Sequence, residues 1–149
     1  MTTPRPVDTE PEAAACFALM RQLRPNLATA AEFVARWQRQ RAQGYRLLAL
    51  WQDVRPVALA GFRIQENLVH GRHLYVDDLV TDAPARGAGH GHRLMRALIE
   101  TASAEACAKL VLDTPLANSL GQRFYFREGL LATALRFIMP LPDHLPESR

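Results

Sequence analysis

Residues Arg86-Gly87-Ala88-Gly89-His90-Gly91 lie between an apolar run and a long amphipathic stretch. Three glycines let the backbone come close to a ligand. A helix starting there aims unpaired N–H groups and the positive end of its dipole at whatever docks. The chemistry this suits is anion binding. Upstream, Leu74-Tyr75-Val76-Asp77-Asp78-Leu79-Val80 has strand composition, and Thr81-Asp82-Ala83-Pro84 breaks it with a turn. The order is strand, glycine loop, helix, the arrangement that sets pyrophosphate groups on backbone amides.

What the loop lacks narrows the ligand. A P-loop needs Lys-Ser/Thr after its last glycine, and Gly91 is followed by His92-Arg93. A Rossmann fingerprint needs G-x-G-x-x-G, but the sixth position from Gly87 is His92, and the loop follows an antiparallel region. The spacing that fits is Arg-x-x-Gly-x-Gly, read as Arg86, Gly89 and Gly91. A second pattern follows in Asn118-Ser119-Leu120-Gly121-Gln122-Arg123-Phe124-Tyr125-Phe126-Arg127-Glu128-Gly129-Leu130. On these two motifs the chain resembles the GNAT superfamily of N-acetyltransferases over about residues 45 to 140. It departs from the family at Gly121, where Ala is usual, and at Leu130, where Phe is usual. Both read as packing changes.

The resemblance implies acetyl-CoA as co-substrate, with its pyrophosphate on Arg86, Gly87, Ala88, Gly89, His90 and Gly91. It implies that backbone groups of Leu79, Val80 and Thr81 hold the pantetheine arm where two parallel strands splay apart. Asn118 is implied to touch the same arm, a role compatible with capping the last helix. Tyr125 is implied to be the general acid near the coenzyme sulfur, while Phe124 and Phe126 read as packing. Asp77 and Asp78 are candidates for the general base or for steering a cationic amine, against the alternative that each caps a loop or pairs with an arginine. Neighbours on a strand point to opposite faces, so one of the two looks into the cleft unless a bulge re-aims both. Asp78 is favoured.

The histidine pairs around His70-Gly71-Arg72-His73 and His90-Gly91-His92 lack the acidic or cysteine partners of a zinc set, so no metal is expected. His90 is expected to offer only its backbone N–H, and His73 is an alternative base expected to be solvated. Cys16 and Cys107 are too few for a disulfide framework and read as small packed hydrophobes. The net charge of +3 invites a nucleic-acid reading, but the arginines are dispersed and RNA-binding aromatic signatures are absent.

The positioning elements follow from periodicity. Pro4–Asp8 reads as a short strand and Pro11–Leu23 as a helix with a stripe at Ala15, Leu19 and Leu23. Ala30–Gln43 is a second helix, with Phe33, Val34, Trp37 and Arg41 at helical spacing and Gly44 as its stop. Tyr45–Trp51, Pro56–Arg63 and His73–Val80 are three antiparallel strands, and Gly91–Ala106 is a helix packed across them. Lys109–Asp113 is a strand reached by helical crossover and paired parallel with its predecessor. Residues 117–128 form the last helix and Leu130–Met139 a final strand.

The expected fold is therefore α/β, a mixed, mostly antiparallel sheet with helices on both faces, and the resemblance implies the GNAT-like form of it, with two splayed parallel central strands. One domain spanning residues 1–149 is expected. Without an apolar signal core at the N-terminus or a run of about 20 apolar residues, cytoplasmic residence away from membranes is expected. The expected activity is direct acetyl transfer from acetyl-CoA to a small-molecule, protein or peptide amine; the alternative is a non-catalytic acyl-CoA-binding regulatory module. A homodimer is left open.

Overall fold

The computed structural model describes residues 3–142 of the chain. It divides into two compact units, Met1–Leu112 and Asp113–Arg149. The first unit holds β1 (Arg5–Pro6), α1 (Glu10–Leu23), α2 (Ala30–Arg41), β2 (Arg46–Gln52), β3 (Arg55–Asn67), β4 (Gly71–Thr81), α3 (His90–Ala104) and β5 (Lys109–Leu112). The second holds α4 (Ser119–Arg127).

The five strands lie side by side in chain order. The first four are antiparallel, and β5 runs parallel to β4. Because strand side chains alternate faces, the sheet sorts its apolar residues into two cores. Leu47, Ala49, Trp51, Leu59 and Val80 meet Cys16, Leu19, Met20, Phe33 and Trp37 of α1 and α2. Leu50, Ala58, Ala60, Phe62, Leu74 and Val76 meet Leu94, Leu98 and Ala102 of α3 on the other face. Each fully buried Leu here contributes roughly 1.5–3 kcal/mol through area removed from water.

Three readings are corrected. The buried stripe of α1 is Ala13, Cys16, Leu19 and Met20, with Leu23 partly buried and packed against the same core, so of the expected stripe only Ala15 misses it. Strand β3 runs four residues past Arg63, because the polar Gln65, Glu66 and Asn67 continue the ladder against His73, Arg72 and Gly71. Residues 130–139 form no strand among the described residues, which leaves β5 as the last strand of the sheet. An alternating apolar pattern makes a segment competent to pair, but a ladder also needs a partner. Leu131, Leu135, Phe137, Ile138 and Met139 are accordingly exposed.

Helix α1 starts with a capping box. Thr9 accepts from the Glu12 amide, and the Glu12 carboxylate accepts from the amides of Asp8 and Thr9. Arg5 donates to the same carboxylate at 2.6 Å, and this bond, reinforced by the amides, holds the Glu12 carboxyl at about 2 instead of the usual 4.5. A folded value below the unfolded one means stability that is complete above about pH 4.5 and lost as pH falls toward 2. Glu12→Gln should lower the melting temperature at neutral pH and flatten its decline across that window, as followed by circular dichroism.

Candidate active site

Strand β4 carries one residue more than β3 at its centre. The ladder pairs Gly61 with Asp78 and Phe62 with Val76, leaving Asp77 without an opposite residue. Such a bulge suspends the alternation of side chains. Both carboxylates consequently join one group of side chains, on the side of α1 and α2. The Tyr45 hydroxyl donates to Asp78 Oδ2 at 2.7 Å, and Arg24, the residue capping α1, donates from Nε to Asp78 Oδ1 at 3.0 Å. A second Arg24 nitrogen reaches the Asp77 carbonyl oxygen at 2.8 Å. Arg63 of β3 donates to Asp77 Oδ2 at 3.0 Å and to Gln40 Oε1 of α2 at 3.0 Å.

The two acids are not equivalent. Both oxygens of Asp78 are taken, whereas Asp77 Oδ1 has no hydrogen bond among the described residues. Burial raises the Asp77 carboxyl above its ordinary 3.8, with the Arg63 bond opposing the shift. Each carboxylate also faces a guanidinium, so the pair exerts little net long-range pull on a cation.

The glycine loop begins with a single 3₁₀ turn, Ala83–Ala85. Gly87 and Gly89 have φ of +88° and +82°, values that a side chain would strain. Among the described residues the amides of Gly87, Ala88, Gly89, His90 and Gly91 find no backbone or side-chain acceptor; the first internal bond of α3 is Arg93 N–H to Gly89 O. Arg86, Gly87, Ala88 and Gly89 are exposed, which leaves a run of donors facing solvent. The His90 ring is buried and accepts from Arg93 at 2.8 Å through Nδ1, so it turns away from the exposed loop.

Beside the loop, the β4–β5 ladder covers only His73–Val76 against Lys109–Leu112. From Asp77 to Thr81, a stretch that includes Leu79 and Val80, β4 has no β5 partner. The loop's entry is tied down by Asp82, nearly buried. Gln22 donates to one of its oxygens at 2.8 Å and Arg55 to the other at 2.6 Å. The Gln22 bond leads in holding its carboxyl below 3.8. Gln22 Oε1 also accepts from the Ala83 amide at 3.1 Å.

In the second unit Asn118 caps α4, accepting from the Gly121 amide at 3.0 Å and donating to Thr114 at 3.0 Å. A Cβ at Gly121 would lie 2.4 Å from the Asn118 side-chain amide, so an alanine there would need that side chain to shift. Tyr125 is half-buried, lies edge-on to Phe124, and burial raises its hydroxyl above 10.0, so it stays a proton donor at neutral pH. Phe126 is exposed, contrary to its reading as core packing. His73 is buried rather than solvated, with Nδ1 2.9 Å from Gly71 O, and lies four residues along β4 from Asp77, about 13 Å in a strand. Cys16 is fully buried, which pushes its thiol up to about 12, while Cys107 is partly buried. Among the described residues no three His, Cys, Asp or Glu groups cluster to hold a metal, and no helix is long and apolar enough to cross a membrane.

A family model described as "Acetyltransferase (GNAT) family" matches residues 13–129. The chain belongs to the GNAT acetyltransferase family. Its match to glucosamine 6-phosphate N-acetyltransferase 1 of Oryza sativa subsp. japonica is 30% identical over 116 residues, covering 73% of this chain and 70% of that protein. The uncharacterized N-acetyltransferase YhdJ of Bacillus subtilis is 31% identical over 83 residues, and that match spans 56% of this chain and 58% of YhdJ. The Trypanosoma brucei acetyltransferase structure superposes with a TM-score of 0.78 at 23% identity, covering 95% of this chain and 100% of that one. The aminoglycoside acetyltransferase AAC(6')-Iy in complex with a bisubstrate analogue gives 0.81 at 16% identity, covering 95% and 98%. The GNAT match takes in the bulge, the glycine loop, Asn118 and Tyr125 together.

Sequence reasoning did not reach Tyr45, Gly61, Arg24, Arg63, Gln22 or the anchoring role of Asp82. A glycine inside a strand pattern was the available signal, since it marks a bulge or a close approach. Asp82→Ala should release the loop entry of this GNAT chain. Hydrogen exchange at the Ala85 and Arg86 amides is expected to accelerate about tenfold or more while Leu59 in the core stays protected.

Proposed function

We propose that the chain works as one domain that transfers an acetyl group from acetyl-CoA directly to a primary amine. The observation that carries this reading is the run of amides from Gly87 to Gly91, with no acceptor among the described residues, beside the stretch of β4 that has no β5 partner. The amides suit a pyrophosphate, with Arg86 adding charge, and the unpartnered stretch through Leu79, Val80 and Thr81 suits an extended arm with amide groups of its own. Asn118 is assigned to the same arm on the motif it belongs to. The amine nitrogen attacks the thioester carbonyl, a C–N bond forms, the C–S bond breaks, and the thiolate leaves.

Asp77 takes the amine proton in this proposal and Asp78 serves as its support. The reasons are the open Oδ1 and the raised carboxyl of Asp77 against the fully engaged oxygens of Asp78. This reverses the preference drawn from sequence. Tyr125 returns a proton to the departing sulfur, a role resting on its place in the second motif. The acceptor is a small-molecule, protein or peptide amine; a small sugar amine is favoured by the plant relative's name. With each carboxylate matched by an arginine, the acceptor is held by short-range hydrogen bonding more than by charge. Cytoplasmic residence remains part of the proposal.

The coenzyme assignment is tested by calorimetry. Gly89→Val, which places a β-branched residue at φ +82°, should weaken coenzyme A binding at least tenfold in a folded protein. Unchanged affinity would move the site elsewhere.

Roles in transfer are tested by thiol release over an amine panel. Asp77→Asn should lower turnover by about a hundredfold at neutral pH, with part recovered at high pH where the amine is already uncharged. Tyr125→Phe should lower kcat while leaving KM for acetyl-CoA within about twofold. Losses under about threefold in either variant would count that residue as packing.

A further inference from the structure

Tyr45 reaches the acid pair by two routes. It follows Gly44, the left-handed stop after α2 with φ +94°, and its side chain is almost wholly buried. The ring crosses β3 where a side chain is missing: a Cβ at Gly61 would lie 1.9 Å from the Tyr45 hydroxyl and 2.5 Å from Cζ. Gly61 is also the ladder partner of Asp78, at the edge of the bulge. Passing over it, the hydroxyl meets Asp78 Oδ2 at 2.7 Å. The ring face meanwhile carries the Arg63 guanidinium, 5.5 Å from the centroid, and Arg63 holds Asp77 Oδ2.

We propose that Tyr45, admitted by the bare backbone of Gly61, is a positioning residue that aims the Asp77 carboxylate by supporting Arg63 on its ring face and pinning Asp78 with its hydroxyl. The inference rests on the assignment of Asp77 as the base. Tyr45 touches neither reacting atom itself. Its hydroxyl stays protonated across the working range, because burial and then the Asp78 charge raise it well above 10.0, so its bond to Asp78 does not switch with pH.

The pH behaviour of Asp77 is set by the groups around it. These are Arg63 on β3, Asp78 on β4, Tyr45 ahead of β2, and Arg24 at the end of α1; α2 contributes Gln40, which does not titrate. The Arg63 bond favours the charged carboxylate. Removing the ring platform loosens that bond and moves the Asp77 titration to higher pH.

The test follows Asp77 by carboxyl-carbon NMR alongside kinetics. Tyr45→Leu should raise the Asp77 titration midpoint, shift the acidic limb of kcat/KM the same way, and lower kcat about tenfold or more with KM for acetyl-CoA unchanged. Tyr45→Phe restores the platform, so the Asp77 midpoint should return to the wild-type value. Gly61→Ala, which evicts the ring, should reproduce the Tyr45→Leu shift. A folded Tyr45→Leu with an unmoved Asp77 midpoint overturns the inference. Where Tyr45→Leu does not fold, an unmoved Asp77 midpoint in Gly61→Ala overturns it. The reading of Asp77 as the base fails separately, when Asp77→Asn retains full turnover although the midpoints move.

Discussion

One surplus residue in β4 is what the candidate site depends on. Without the bulge at Asp77, strict alternation would send one carboxylate to the α3 face, into a core of Leu74, Val76, Leu94 and Leu98. A carboxylate there would face aliphatic groups alone, at a cost far above that of a surface acid. With the bulge, both acids look to the side of α1 and α2, where arginines and a tyrosine reach them. The ladder gives up one pairing and the site acquires two acids of different character.

That difference grows from hydrogen bonds alone. Asp77 and Asp78 are neighbours of the same residue type, yet one is saturated by Tyr45 and Arg24 and the other keeps an open oxygen. The proposed division into a base and its support rests on this difference in surroundings between adjacent identical acids. The GNAT family membership of the chain supplies the reaction class in which a half-buried carboxylate of raised proton affinity is useful.

Much of this was legible in the chain itself, and the limits are physical. The glycine loop is local chemistry, so its residues and the helix after it stand where the spacing put them. Helices α1 to α4 and strands β1 to β5 were foreseen to within a few residues, because their signals repeat within each element. The acid pair's orientation was not legible, since it depends on Arg24 from 54 residues away and Tyr45 from 33 away. The expected strand at 130–139 failed for the same reason, as pairing is a property of two segments and only one was visible.

Gln22 and Arg24 leave α1 two residues apart, the first bound to Asp82 at the entrance of the glycine loop and the second to the acid pair. The same helical end therefore buttresses both halves of the proposed reaction, donor side and acceptor side. Were a ligand to shift the loop, this shared helix end is the route by which the carboxylates would feel it, and by linkage the effect would be reciprocal. Any cooperativity between the two proposed substrates would then run through two side chains of a single helix end.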